Sequence, residues 1–144
     1  MKRAIFAILV VIVALLPVQV FAADTSGMYE PAWKTVDFPS NITLNIDVNS
    51  VQKDATTGII SFLYEKVYDV ADAPDGAIQS VAGRVDYNSA TNEYWIRSLN
   101  YIRKNGPAMD VHMFYRPDWR EVEKGSIEEV FCKEAETISE SIVF

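Results

Sequence analysis

The chain has a single cysteine, Cys132, and a single histidine, His112, among its 144 residues. One cysteine excludes a disulfide within the molecule, and one histidine beside it cannot make up a usual zinc set. Basic residues are also few, 13 against 20 acidic. That balance argues against nucleic acid or anionic lipid as a partner, because proteins that bind them carry basic stripes. Internal repeats and low-complexity segments are absent from the sequence. Its one long apolar run, Ala4 to Leu16, stands near the start.

That run follows Lys2 and Arg3, is broken by Pro17 and Gln19, and leads to Val20-Phe21-Ala22. Small residues thus fill the two positions that a signal peptidase reads, and the apolar core is short for a membrane span of about 20 residues. We expect a leader over 1–22, cleaved after Ala22, and an exported protein: periplasmic, cell-surface or secreted, with no membrane span after cleavage. No cysteine lies near the cleavage point, so the usual bacterial lipoprotein attachment is missing. Cleavage takes Lys2 and Arg3 and leaves 122 of the 144 residues, with 11 basic against 20 acidic, a balance of −9. That length suits one domain with a sizeable core. Its expected limits are a flexible segment over 23–30, the domain over 31–135 and a tail over 136–144.

Beyond the leader the hydrophobic period is mostly two. Ile42, Leu44, Ile46 and Val48 share one face of "ITLNIDV", and "GIISFLYEKVYDV" is rich in β-branched and aromatic residues. "AIQSVAGRVDY" reads as a third strand. "EYWIRSLNYIRKNGPAMDVHMFYRP" reads as a hairpin turning at Asn105-Gly106, a pair suited to two successive positive φ angles. On its first arm Trp95, Leu99 and Tyr101 are expected on one face, interrupted by Arg97. On the second, Met109, Val111, Met113 and Tyr115 alternate, with His112 facing away from the main apolar side.

The helix signal comes last. Ser126 followed by Glu129 is a capping box, with Gly125 turning the chain before it. Ile127, Val130, Phe131 and Ile138 fall on one helical face, with Ala135 near its margin and Glu134 intruding. Cys132 lies at or just past the edge, about 140° from Ile127 at 100° per residue. The expected fold is α+β: a curved antiparallel meander of about five or six strands with a C-terminal α-helix packed on one face.

Candidate chemistry is thin. A Cys132–His112 nucleophile–base pair would need a thiolate, and Lys133 is the lone cationic neighbour of that thiol in sequence. Asp69, Asp72 and Asp75-Gly76 are spaced by three, not by the two of an EF-hand, and read as a solvated turn. Asn41-Ile42-Thr43 matches a glycosylation sequon, discounted behind a bacterial-looking leader. We therefore predict no catalytic residue, cofactor or metal. Aromatics are plentiful instead. Most belong to the core, but Tyr94 and Phe114 are expected on the hairpin's second face, the one open to solvent, where exposed aromatics mark a binding surface.

Trp119, Val122, Gly125, Ser126 and Cys132 form the pattern W-x-x-V-x-x-G-S followed by a helix carrying a cysteine. This resembles the closing segment of the surface-adhesin E family, small exported bacterial domains. Trp33 in "AWKTV" is similar to the family's opening tryptophan. "NIDVNSV", with Asp47, resembles a strand end that runs into a serine-containing loop, and "VDYNSATNEYWIRSLNYIRKNG" resembles the strands before the hairpin glycine. The likeness covers about residues 33–135 and implies a curved antiparallel sheet with the helix on its concave face. It also implies a bridge from the helix cysteine to a strand cysteine within an aspartate–cysteine pair. Here the counterpart is Asp86-Tyr87, so Cys132 stays single and forgoes roughly 4 kcal/mol from closing a loop of about 45 residues. Ile127, Val130 and Phe131 must then hold the helix. Cys132 reads as a partly buried small hydrophobe, against the alternative of a dimerising thiol.

By the same resemblance the protein is a non-enzymatic binding module that attaches to host or extracellular proteins. No binding residue carries over, because the matching positions are structural. Edge pairing of strands would make a homodimer. The alternative is a soluble periplasmic protein that binds a small ligand in the cupped sheet or inhibits a cell-wall hydrolase, for which a deep pocket under the helix would speak.

Overall fold

The computed structural model describes residues 29–106 and 110–142. The leader expected over 1–22, most of the segment over 23–30 and residue Met109 lie outside them. The described residues from Pro31 onward form one compact unit.

Six strands follow one another across an antiparallel sheet in chain order: β1 (Trp33–Val36), β2 (Ile42–Lys53), β3 (Ile60–Tyr68), β4 (Ile78–Asn88), β5 (Glu93–Arg103) and β6 (Asp110–Met113). A two-residue strand, β7 (Arg120–Glu121), pairs with β5 beyond the end of β6. The helix α1 (Ile127–Ser141) packs on β1, β2 and β3. This is the α+β meander with a C-terminal helix read from the sequence. β1 and β7, of four and two residues, are additions to the strands named from the hydrophobic pattern.

Period-two patterning becomes a core through cross-strand pairing. Ile46 stands opposite Tyr64, Phe62 opposite Val85 and Ile60 opposite Tyr87, all buried on the face that carries the helix. From α1, Phe131, Cys132, Ala135 and Ile138 close over them. Cys132 is thus fully buried within the helix's inner face, not at its edge, because that face centres on Phe131 and Ala135. Ile127 and Val130 are only partly buried and flank it. The helix runs to Ser141, with Ile138, expected on its apolar face, buried in the last turns.

The capping box forms with one change. Ser126 Oγ accepts from the Glu129 N–H at 3.0 Å, while the Glu129 carboxylate accepts from Gly125 N–H at 2.6 Å, one residue further back than usual. Gly125 has φ 80°, a conformation costly for any residue with a side chain. The intruding Glu134 is answered by Lys34 of β1, which ion-pairs with it.

Two details depart from the expected hairpin. In β5, Ile96 stands opposite Val85 but Ser98 stands opposite Arg84, so Arg97 is an extra residue. Such a bulge shifts the alternation by one. Leu99 and Tyr101 therefore share the helix-bearing face with Tyr94 and Ile96, while Trp95 turns to the other face beside Asp86. On β6 the pairing of Leu99 with His112 puts His112 on the helix-bearing face, edge-on to Tyr101 with ring centroids 5.5 Å apart. Val111 and Met113 face the other way, the reverse of the expectation.

The hairpin register does centre on Asn105-Gly106, but only Asn105 is left-handed, with φ 49°. A two-residue turn would close with an N–H from Pro107, which has none. The Lys104 carbonyl accepts instead from Gly76 N–H at 2.7 Å. The Lys104 ammonium donates to the carbonyls of Val70, Ala71 and Ala73, each at 2.9 Å. The aspartate-rich turn is thus folded around a lysine. Lys104→Met should cost about 2 kcal/mol, given hydrogen bonds to a charged group in a partly exposed loop. Denaturant midpoints would show the loss, and limited proteolysis should cut first between residues 69 and 77.

Candidate functional site

β6 leaves β5 after Met113, and the chain re-joins it only at Arg120. The intervening stretch, Phe114 to Trp119, arches away and is pinned at both ends. Phe114 N–H donates to the Arg97 carbonyl at 2.9 Å, and Arg120 pairs with Asp118 at 2.6 Å. Beneath the arch lies a cleft of about 140 Å³ lined by Tyr94, Trp95, Ile96, Leu99, Phe114, Arg116, Asp118 and Arg120. α1 packs on β1, β2 and β3, so the cleft lies away from the body of the helix, along β5.

The structure brings Tyr94 and Phe114 together in this cleft, though not on the side expected. Tyr94 stands opposite the core residue Tyr87 and packs against the core from the helix-bearing face. The reason is again the bulge at Arg97. Desolvation first, and the Glu128 carboxylate second, push the Tyr94 phenol above its ordinary value, so it stays protonated and able to donate. Solvent reaches Phe114 and its neighbours freely: Val111 is 52% exposed, Met113 54%, Phe114 46% and Tyr115 85%.

The residues of the expected structural motif hold the frame. Asp47 is buried and accepts from the N–H groups of Ala32, at 2.8 Å, and Asn49, at 3.1 Å. It thereby ties Trp33, its partner across β1, and the irregular stretch of β2 to one carboxylate. Ser50 Oγ continues the tie by donating to the Asp47 carbonyl and accepting from Leu63 N–H. Asp86 accepts from Ser61 Oγ at 2.6 Å and faces Arg97 at 3.7 Å. Trp119 packs on Trp95, with centroids 6.2 Å apart. Gly125 and Ser126 start the helix, and Cys132 fills its underside.

Cys132 and His112 are not brought together: the first lies in the core under α1 and the second on β6, at the other end of the sheet. Burial first, then Glu128 and Glu136, push the Cys132 thiol well above its ordinary range. A thiol so placed stays neutral and is no nucleophile. A group with a raised folded-state value stabilises below its unfolded value and loses that contribution as pH rises. The same sign holds for Tyr64, Tyr87 and Tyr94, all raised chiefly by desolvation. Unfolding free energy should therefore be flat from about pH 7 to 8.5 and then fall by up to about 1.4 kcal/mol per pH unit as the unfolded-state thiol ionises. In Cys132→Val the fall should begin only near pH 10, where unfolded tyrosines ionise. Denaturant melts across this range would show both.

Among the described residues no group of three or more His, Cys, Asp or Glu side chains is placed to hold a metal ion, and no helix is long and apolar enough to cross a membrane. Compared with known proteins, the chain matches no family model, no curated protein and no solved structure.

Ile96, Leu99, Arg116 and Arg120 escaped the sequence reading as cleft residues. The signal present was the run of exposed-type residues after Met113, with Pro117 breaking any strand.

Proposed function

We propose that this is an exported, non-enzymatic binding protein of the surface-adhesin E type, which attaches to extracellular or host proteins through the end of the sheet formed by β5, β6 and the Phe114–Trp119 arch. One observation carries the reading: Val111, Met113, Phe114 and Tyr115 are exposed large apolar or aromatic side chains along β6 and the start of the arch, and Phe114 also lines the apolar cleft. Solvent-exposed aromatics gathered at one place signal a contact surface, and large rigid rings supply contact area at low entropic cost. The family resemblance is supported by the roles of its residues. Asp47 and Ser50 organise the strand end, Gly125 and Ser126 cap the helix, and Tyr87 and Cys132 belong to the same buried core cluster.

The test has two parts. Protease added to intact producing cells should remove the protein from the surface, and the purified protein should bind some members of an immobilised panel of extracellular-matrix and serum proteins. The double variant Phe114→Ser/Tyr115→Ser should lose at least about tenfold in that binding, as expected for aromatic anchors, with its melting temperature unchanged. Full retention of binding would remove this surface from the account.

The cleft itself favours a second reading, a small ligand held beneath the arch by a periplasmic protein. It lies beside α1, not under it, and its volume limits such a ligand to about one ring.

A further inference from the structure

Beside the apolar cleft lies a second hollow of about 290 Å³, lined by Tyr94, Arg120, Glu121, Glu123, Ser126 and Glu128. Tyr94 and Arg120 stand in the walls of both, so the two hollows adjoin across this pair as unlike lobes. In the first lobe Ile96, Leu99, Phe114 and the Tyr94 ring offer apolar surface. Its volume, about 140 Å³, is close to the roughly 150 Å³ apolar cavity that holds benzene. One bulky side chain fits.

The second lobe is anionic. Arg120, the cation between the lobes, is neutralised by Asp118, which accepts from its Nε and Nη2 at 2.9 and 2.6 Å. Glu128 faces Lys66 at 3.8 Å, but Glu121 and Glu123 have no cationic partner among the described residues. Arg116, in the wall of the apolar lobe, likewise has none among them and would repel a cation placed there. The pair of lobes is therefore polarised: apolar with a positive rim at one end, negative at the other.

We propose that the two lobes act as one groove, which docks an extended segment of a partner protein that carries a bulky apolar side chain followed closely by lysine or arginine. The apolar side chain fills the lobe under the arch, and the cation passes over Tyr94 to Glu121 and Glu123. Charge complementarity selects this occupant, and the −9 balance of the exported chain adds long-range attraction for a basic partner. The inference rests on the reading of this face as a binding surface and names the chemistry of what it binds.

Fluorescence anisotropy of three labelled peptides against the protein purified after export tests it. The peptides are one with phenylalanine followed by two lysines, one with phenylalanine followed by two glutamates, and one with glycine followed by two lysines. The first should bind about tenfold or more tighter than either other, and weaken as salt rises. Glu121→Gln/Glu123→Gln should cut its affinity about fivefold to tenfold, and Phe114→Ser by a similar factor. Equal binding of the glutamate peptide, or indifference to both variants, overturns the inference. If matrix or serum proteins bind through Phe114 and Tyr115 while the lysine peptide does not, the inference falls and the broader reading stands. If the peptide binds in the groove and no extracellular protein does, the broader reading falls and the groove's chemistry stands.

Discussion

Phe131→Ala should destabilise the protein by about 3–5 kcal/mol, the largest loss available from one side-chain truncation here. Phe131 is fully buried between helix and sheet. Its ring stacks on Tyr64 with centroids 4.6 Å apart and an interplanar angle of 13°, and meets Phe62 edge-on at 5.7 Å. Removing it leaves a cavity between two rings that cannot collapse, because both are fixed by the pairing of β3 with β2 and β4. A domain of this size has only about 5–15 kcal/mol in all. Thermal melting should show a midpoint lowered by at least about 12 °C, with Phe131→Leu in between. A shift of a degree or two would mean that the helix is held elsewhere.

The second large effect comes from adding one methyl group. Gly83 stands opposite Tyr64 across β3 and β4. A Cβ there would lie 2.6 Å from Tyr64 Cε1, 2.8 Å from Cζ and 2.9 Å from the hydroxyl oxygen. The ring cannot retreat, because Phe131 is stacked on its other side. Gly83→Ala should therefore cost about 1–3 kcal/mol by overpacking. The double-mutant cycle is more telling than the single value. Where Tyr64→Val has already removed the ring, Gly83→Ala should cost little, giving a coupling of at least about 1 kcal/mol. Additive losses would place the strain in the strand backbone instead.

Both residues show how far the sequence could be read. Alternation over β2, β3 and β4 and the Ser126–Glu129 cap made the sheet and helix legible, because each is a local pattern. Gly83 looked like an ordinary strand glycine; its purpose depends on a ring nineteen residues away in the chain. Angles taken from Ile127 put Cys132 at the helix edge, whereas the sheet is met by Phe131 and Ala135. The bulge at Arg97 was the costliest omission. One extra residue turned Trp95 to the opposite face from Leu99 and Tyr101, and put Tyr94 in the cleft on the helix-bearing side. No local propensity marks that residue as extra; only the register against β4 does.

The same reasoning explains why the cleft was half visible. Tyr94 and Phe114 fall outside the main apolar stripe in the sequence, and both line the cleft. Their companions Arg116, Asp118 and Arg120 depend on the arch, whose path is set by the return of β7 to β5, a pairing of two residues. Binding through this end of the sheet is therefore a proposal about tertiary placement, and it is best tested by locating contact.

Amide hydrogen exchange of the exported protein, alone and saturated with the extracellular protein that binds it best, would do so. Protection should appear at Tyr94–Leu99 and Val111–Arg120 and leave α1 unchanged. Protection confined to α1 or to β1, with the arch exchanging as before, would contradict the account.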